Sequence, residues 1–320
     1  MLALHTFVNP EYSDNYVYKL AYMDLQRMSF TNVLQENSAY AKAEVGFRVL
    51  CKVLTYVSHQ WVFALFVFSL ITLGGYYASV RKYSSMYWLS VLLIMIGPFC
   101  QSLYVLRQHM AMGIVLYTYP FIIDKKIVPY LILCAIAFFI HQTAAIFLPI
   151  YFFYNLKGKK SIKIVLILFF LALYFYFSKL LYTSSLYAME TAAYGSHYYE
   201  YDVENGANAK MAILLLFLLL LRILLLKSEF YKEGINRLLS ILLTVGFFIS
   251  FVGIGYVATS RLNMYFSTLG FLYLPNTIQY FKKKEFKYLF GIGYFVLMMI
   301  LFIKSNLYDR DDFWFFEFLR

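Results

Sequence analysis

Arg107 and His141 stand inside apolar sequence, in QSLYVLRQHMAMGIVLY and IAFFIHQTAAIFLPIY, with the charged step Asp124-Lys125-Lys126 between them. Ionisable side chains at membrane depth are costly, by about a few kcal/mol on insertion scales, and so they face protein-lined cavities and mark function. Arginine suits phosphate, because its charge survives partial burial and its planar fork donates two hydrogen bonds to one phosphate. A second arginine, Arg261, opens a later apolar run, and two such groups could hold a diphosphate and stabilise charge as it leaves. A carboxylate, Asp14 or Glu44, or else His141, could take a proton as general base. Each has a plainer reading. An arginine at a helix end reaches for headgroups, a lone histidine in a membrane helix often makes a structural hydrogen bond, and Asp14 and Glu44 could be ordinary loop carboxylates.

The elements that must position these groups are apolar. Of 320 residues, 62% are hydrophobic and 14% charged, with a mean hydropathy of +0.65. A soluble domain of that size could not cover its surface with so few charges, so the chain reads as an all-α polytopic membrane protein. The 28 basic residues exceed the 17 acidic ones, but they fall in short clusters between apolar runs, as cytoplasmic loops do, and form no nucleic-acid-binding stripe. Cys51, Cys100 and Cys134 are scattered and suggest neither a disulfide framework nor a metal site. The chain shows no P-loop, no nucleophile elbow and no H-E-x-x-H. The Asp309-Arg310-Asp311-Asp312 tail reads as a solvated end. No metal and no cofactor is expected.

Residues 1 to 59 are comparatively polar and are expected outside the membrane. A transmembrane domain follows from 60 to 303, with an outer loop at 181 to 210, and then a tail from 304 to 320. About nine apolar segments can be drawn: 60–79, 86–106, 108–123, 127–156, 163–180, 209–226, 238–257, 262–281 and 286–303. The run from 127 to 156 has basic clusters at both ends, and as one helix it would measure about 45 Å against a hydrocarbon core of roughly 30 Å. A break near His141-Gln142 makes it a re-entrant hairpin. The cytoplasmic loops then hold 15 basic and 4 acidic residues, and the outer segments 11 and 13. A single span would put the later basic clusters outside, against the positive-inside rule. Residues 1 to 59 need a route across the membrane. Either an upstream transmembrane helix precedes them, or the first span translocates this short segment.

This topology brings Arg107, Arg261 and the hairpin tip at His141 to the outer side, where Asp14 and Glu44 also lie. The 181–210 loop adds Tyr198, Tyr199 and Tyr201 among Glu200, Asp202 and Glu204. Flat rings beside carboxylates suit sugars, which offer apolar C–H faces and hydroxyl donors. An interfacial aromatic belt would account for the same tyrosines.

Five pieces, in order, resemble the EpsG family of exopolysaccharide polymerases, the Wzy-like proteins of capsule and O-antigen loci. Ser13-Asp14-Asn15-Tyr16 with Tyr18 resembles G-T-D-Y-x-x-Y, and Glu44-Val45-Gly46-Phe47 resembles E-x-G-F. Arg107-Gln108 with Ala111 resembles R-Q-x-x-A, Phe139 to Ala144 resembles the fH-x-S-A element, and Ser260-Arg261 with Tyr265-Phe266 resembles S-R-x-x-x-Y-F. Thr143 replaces the usual serine, and the first match is partial. The resemblance implies a GT-C-like architecture in the bacterial cytoplasmic membrane, an essential outer-loop acid at the position of Asp14, and Gln108 joining Arg107 and Arg261 on the diphosphate. It implies a polymerase of undecaprenyl-diphosphate-linked repeat units, working beside a flippase and a chain-length regulator, with no nucleotide or metal. A flippase for the same lipid-linked oligosaccharide, or a membrane acyltransferase using His141, are the other function classes.

Overall fold

The computed structural model describes residues 1–6, 15–35, 43–155, 207–224, 229–252 and 257–303, and every regular element among them is helical. Asp14, Tyr198, Tyr199, Tyr201, the 163–180 run and the 304–320 tail lie outside the described residues. The chain divides into two compact units, the described part of the first ending at Leu148 and the second running from Pro149 to Ser305.

In the first unit the short α1 (Leu2–Thr6) is followed by α2 (Asn15–Arg27), α3 (Phe30–Leu34), α4 (Val45–Val57) and α5 (Trp61–Tyr83). At 23 residues, α5 is about 34 Å long, enough to cross a hydrocarbon core. Its inward face carries Ala64, Leu65, Phe68, Thr72 and Tyr76, yet its outward face, with Val62, Phe66 and Leu70, is apolar as well. An outward apolar face suits lipid, not water. Arg81 and Lys82 close its last turn, where cations meet the negative end of the helix dipole.

α6 (Tyr87–Ile94) passes through a π-helical turn at Met95–Phe99, which contains Pro98, into α7 (Cys100–Ser102). A tight turn then leads to α8 (Leu106–Leu116) and α9 (Tyr119–Ile123). α8 packs on α5 through two glycines. A Cβ on Gly113 would lie 2.8 Å from the Ile71 carbonyl oxygen, and one on Gly75 would run into the Gly113 backbone. Small residues let membrane helices approach this closely. The fit fixes the height of Arg107, the second residue of α8.

α10 (Ile127–Ile140) ends where the sequence places a break. His141 is extended (φ −156°, ψ 119°), and a 3-10 turn from Gln142 to Phe147 follows. The chain doubles back, since the Tyr130 hydroxyl donates to the Phe147 carbonyl; a continuous helix would hold those residues about 25 Å apart. His141 is the tip of this reversal.

α4 carries two buried cations, each 4% exposed. Arg48 donates to the carbonyls of Val33 (2.9 Å), Leu34 (3.2 Å) and Ala43 (2.6 Å), and Lys52 to those of Leu25 (3.0 Å) and Gln26 (3.1 Å). They thereby satisfy the last carbonyls of α3 and α2, which have no partner within their own helices.

The second unit comprises α11 (Ile150–Asn155), α12 (Ala207–Leu224), a 3-10 turn (Glu229–Lys232), α13 (Gly234–Val252), α14 (Val257–Ser267), α15 (Gly270–Ile278) and α16 (Lys284–Ile303). α13 contains the second stretch long and apolar enough to span, Gly234–Phe251, while the apolar stretches Tyr87–Ser102, Ile127–Ile140 and Ala209–Leu221 are shorter. α14 locks into α13 because Gly246 leaves room for Phe266, and the Asn263 amide donates to Ser250 and to Met211 Sδ (3.3 Å). The turn before α13 is tied by Glu233, which accepts from Asn236 (2.8 Å) and Tyr280 (2.7 Å). The apolar run 262–281 is not one helix. It divides at Thr268-Leu269, and Arg261 sits one turn inside α14, not at its start.

Candidate functional site

Glu44 precedes the first residue of α4, and its position depends on Gly46. A Cβ there would lie 2.6 Å from both the Cβ and the carbonyl oxygen of Phe139, so only a bare backbone allows α4 to begin against the last turn of α10. The Glu44 carboxylate is thereby brought to the hairpin tip. One oxygen, Oε1, lies 2.8 Å from His141 Nδ1 and accepts the Gln142 backbone N–H at 3.0 Å. The other, Oε2, pairs with Nη1 of Arg107.

Arg107 arrives from α8 and is held on two further sides. Its Nε donates to the Tyr18 hydroxyl at 3.0 Å. The guanidinium lies 5.3 Å from the Tyr18 ring centre and 5.8 Å from that of Phe47, within cation–π range. Those two rings meet edge to face at 5.6 Å. The turn entering α8 is pinned by Asn15, whose buried amide donates to the Leu103 carbonyl at 2.9 Å. The cluster thus draws on α2, α4, α8 and the α10 reversal. Its core is partly covered, with Glu44 9%, Arg107 20% and His141 21% exposed at the side chain.

Burial alone would raise the Glu44 pKa, but the His141 hydrogen bond, the Arg107 and His141 charges and the Gln142 N–H outweigh it and bring it down to about 2. The carboxylate is therefore ionised at neutral pH and can only accept. It follows that His141 Nδ1 carries a hydrogen, and in the neutral imidazole Nε2 is the basic nitrogen. A carboxylate held this low is a weak base, whereas the imidazole it orients is suited to proton transfer.

Of the residues singled out from sequence, the structure joins Glu44, Arg107 and His141. Gln108 is 1% exposed, and Ala111 is fully buried. Arg261 belongs to the second unit, between the buried Ser260 and Asn263. Sequence reasoning did not assign a role to the Tyr18–Phe47 platform, although both residues sit in the quoted motifs; an aromatic residue gives no sign in one dimension of the cation it will carry. Among the described residues, no three His, Cys, Asp or Glu side chains form a group that could hold a metal ion.

The chain matches the EpsG family over residues 1–318. It belongs to that family. No curated protein and no solved structure matches it. EpsG membership, together with the apolar helices of the described residues, makes this a membrane protein with an exopolysaccharide-related, polymerase-like function of the glycosyltransferase type. Within the EpsG chain the E-x-G-F element has a physical explanation: Glu44 is the shared anion, Gly46 the close approach and Phe47 the ring beside the guanidinium.

Proposed function

We propose that this EpsG protein polymerises undecaprenyl-diphosphate-linked repeat units into a surface polysaccharide at the outer face of the bacterial cytoplasmic membrane. The observation that carries this reading is the Glu44 carboxylate bridging the His141 imidazole and the Arg107 guanidinium, groups suited to accepting a proton and to binding phosphate.

The acceptor's sugar hydroxyl gives its proton to His141 Nε2 as its oxygen bonds to the anomeric carbon of the donor glycan. The bond from that carbon to the lipid diphosphate breaks, and the diphosphate leaves with the electron pair. Arg107 stabilises the charge developing on it. Glu44 is a positioning residue, setting the imidazole tautomer as the carboxylate does in a Ser-His-Asp triad. Because the donor already carries a good leaving group, the step needs neither nucleotide nor metal. Roles for Asp14 as an outer-loop acid, for Gln108 and Arg261 on diphosphate, and for Tyr198, Tyr199 and Tyr201 on sugar rest on the family resemblance and on residue chemistry. So do a flippase and a chain-length regulator as partners.

A flippase has no use for an oriented base, which favours transfer over transport. The test is the glycan profile of a deletion strain. A polymerase deletion leaves single repeat units on the lipid or its acceptor. The reading fails if no glycan reaches the outside, as for a flippase, or if full-length chains persist lacking an ester, as for an acyltransferase.

A further inference from the structure

α4 is built inside out for a helix in water. Its cations, Arg48 and Lys52, are buried against α2 and α3, while the stripe beside them, Val45, Val49, Val53, Tyr56 and Val57, turns outward, with Lys52 Nζ 5.1 Å from the Tyr56 ring centre. Val45 and Val49 are half-buried, but Val53 is 47%, Tyr56 71% and Val57 70% exposed. A solvent-facing amphipathic helix has the reverse arrangement.

Its depth can be read from the spanning helix beside it. The Phe47 ring, at the start of α4, lies 5.3 Å from that of Phe68. Phe68 is seven residues into α5, or about 10 Å from its first residue. The other end of α4 stops at Val57, four residues before Trp61, and Ser58 is tied back to α2 by the Tyr22 hydroxyl at 2.7 Å. If Trp61 marks a membrane surface, as the start of a spanning helix does, α4 slopes from that surface to a point about 10 Å within.

We infer that α4 is embedded in one leaflet without crossing it, and that its valine stripe contacts lipid acyl chains. The capping hydrogen bonds made by Arg48 and Lys52 permit this, because they satisfy in the interior the α2 and α3 carbonyls that water could not reach. The same slope carries Glu44 below the surface, where Arg107 and His141 meet it. This placement is independent of the transferase chemistry.

The test uses the full chain with Cys51, Cys100 and Cys134 replaced by Ala, reconstituted in phosphatidylcholine vesicles after its melting profile is matched to the native protein. Nitroxide labels are placed singly at 49, 53 and 57, with His59 as the aqueous reference and Leu70 of α5 as the lipid reference. Power saturation by oxygen and by a nickel chelate reports depth. Position 49 is expected to approach position 70, open to oxygen and closed to nickel, with nickel access rising through 53 to 57. Nickel access at 49 and 53 equal to that at 59 overturns the inference. So does immobilisation with shielding from both reagents, which would mean that protein covers the stripe.

Discussion

Gly46 and Phe139 meet backbone to backbone, with 2.6 Å between the place a Gly46 Cβ would occupy and the Phe139 carbonyl oxygen. Gly46→Ala must therefore push α4 off α10, and overpacking of this kind costs about 1–3 kcal/mol. The displacement falls on Glu44, two residues away, and opens its contact with His141. We expect Gly46→Ala to reach the membrane yet lose most polymer, scored by glycan ladders at matched protein level. Native ladders from this variant would mean that the close approach does not govern the site.

Glu44 can be probed by pH. Its pKa in the folded protein, about 2, lies below the ordinary carboxylate value of 4.5. The unfolded chain therefore binds the proton more readily as pH falls, and ionised Glu44 stabilises the fold. That contribution is complete above about pH 4.5 and is lost as pH falls towards 2. Glu44→Gln removes it at every pH. The melting midpoints of native protein and Glu44→Gln should differ most near neutrality and converge in acid. A constant gap between pH 7 and pH 3 would contradict an ionised, paired Glu44.

Much of this arrangement was legible in the sequence, because lipid imposes a simple code. Apolar length gave α5, α12, α13 and α16 with small shifts at their ends. Length and charge together gave the reversal at His141, since a continuous helix from 127 to 156 would have been too long for the hydrocarbon core and would have put basic loops on the wrong side. Residue chemistry, topology and the family resemblance together singled out Glu44, Arg107 and His141, along with Asp14 and Arg261. They could not show that the Glu44 carboxylate is shared by Arg107 and His141, because that depends on a glycine contact 93 residues away in sequence. Arg48 and Lys52 were equally opaque. In a polar N-terminal stretch they count as surface charge, and only packing reveals that they close the ends of α2 and α3. The division of 262–281 into α14 and α15 was missed as well: Ser267-Thr268 ahead of Gly270 mark the turn, but inside a mainly apolar run small and hydroxylated residues also suit a continuous membrane helix.

The capping role of Lys52 predicts a stability defect separable from chemistry. Lys52→Met keeps the apolar stem but leaves the Leu25 and Gln26 carbonyls without their donor. Unsatisfied buried groups cost about 1–3 kcal/mol each, so the melting midpoint should fall by several degrees. Protein that remains folded should make polymer of native length. Shortened chains at a native midpoint would place Lys52 in the reaction instead.

Arg107 makes the sharpest demand on side-chain shape, because it serves three partners at once. Its Nη1 reaches Glu44, its Nε reaches Tyr18, and its flat face meets the Tyr18 and Phe47 rings. A lysine ammonium carries the same charge but is a single point and cannot span Glu44 and Tyr18 with one fixed fork. Arg107→Lys is therefore expected to lower polymer yield by tenfold or more, and Tyr18→Phe, which removes one hydroxyl and keeps the ring, by less. Tyr18→Ala should fall between them, since it loses both the acceptor and the ring but leaves the guanidinium paired with Glu44. Glycan ladders from the three variants at equal membrane abundance give the order. If Arg107→Lys matched the native protein, charge alone would suffice, and the fork that joins Glu44 to Tyr18 could not be what the reaction requires.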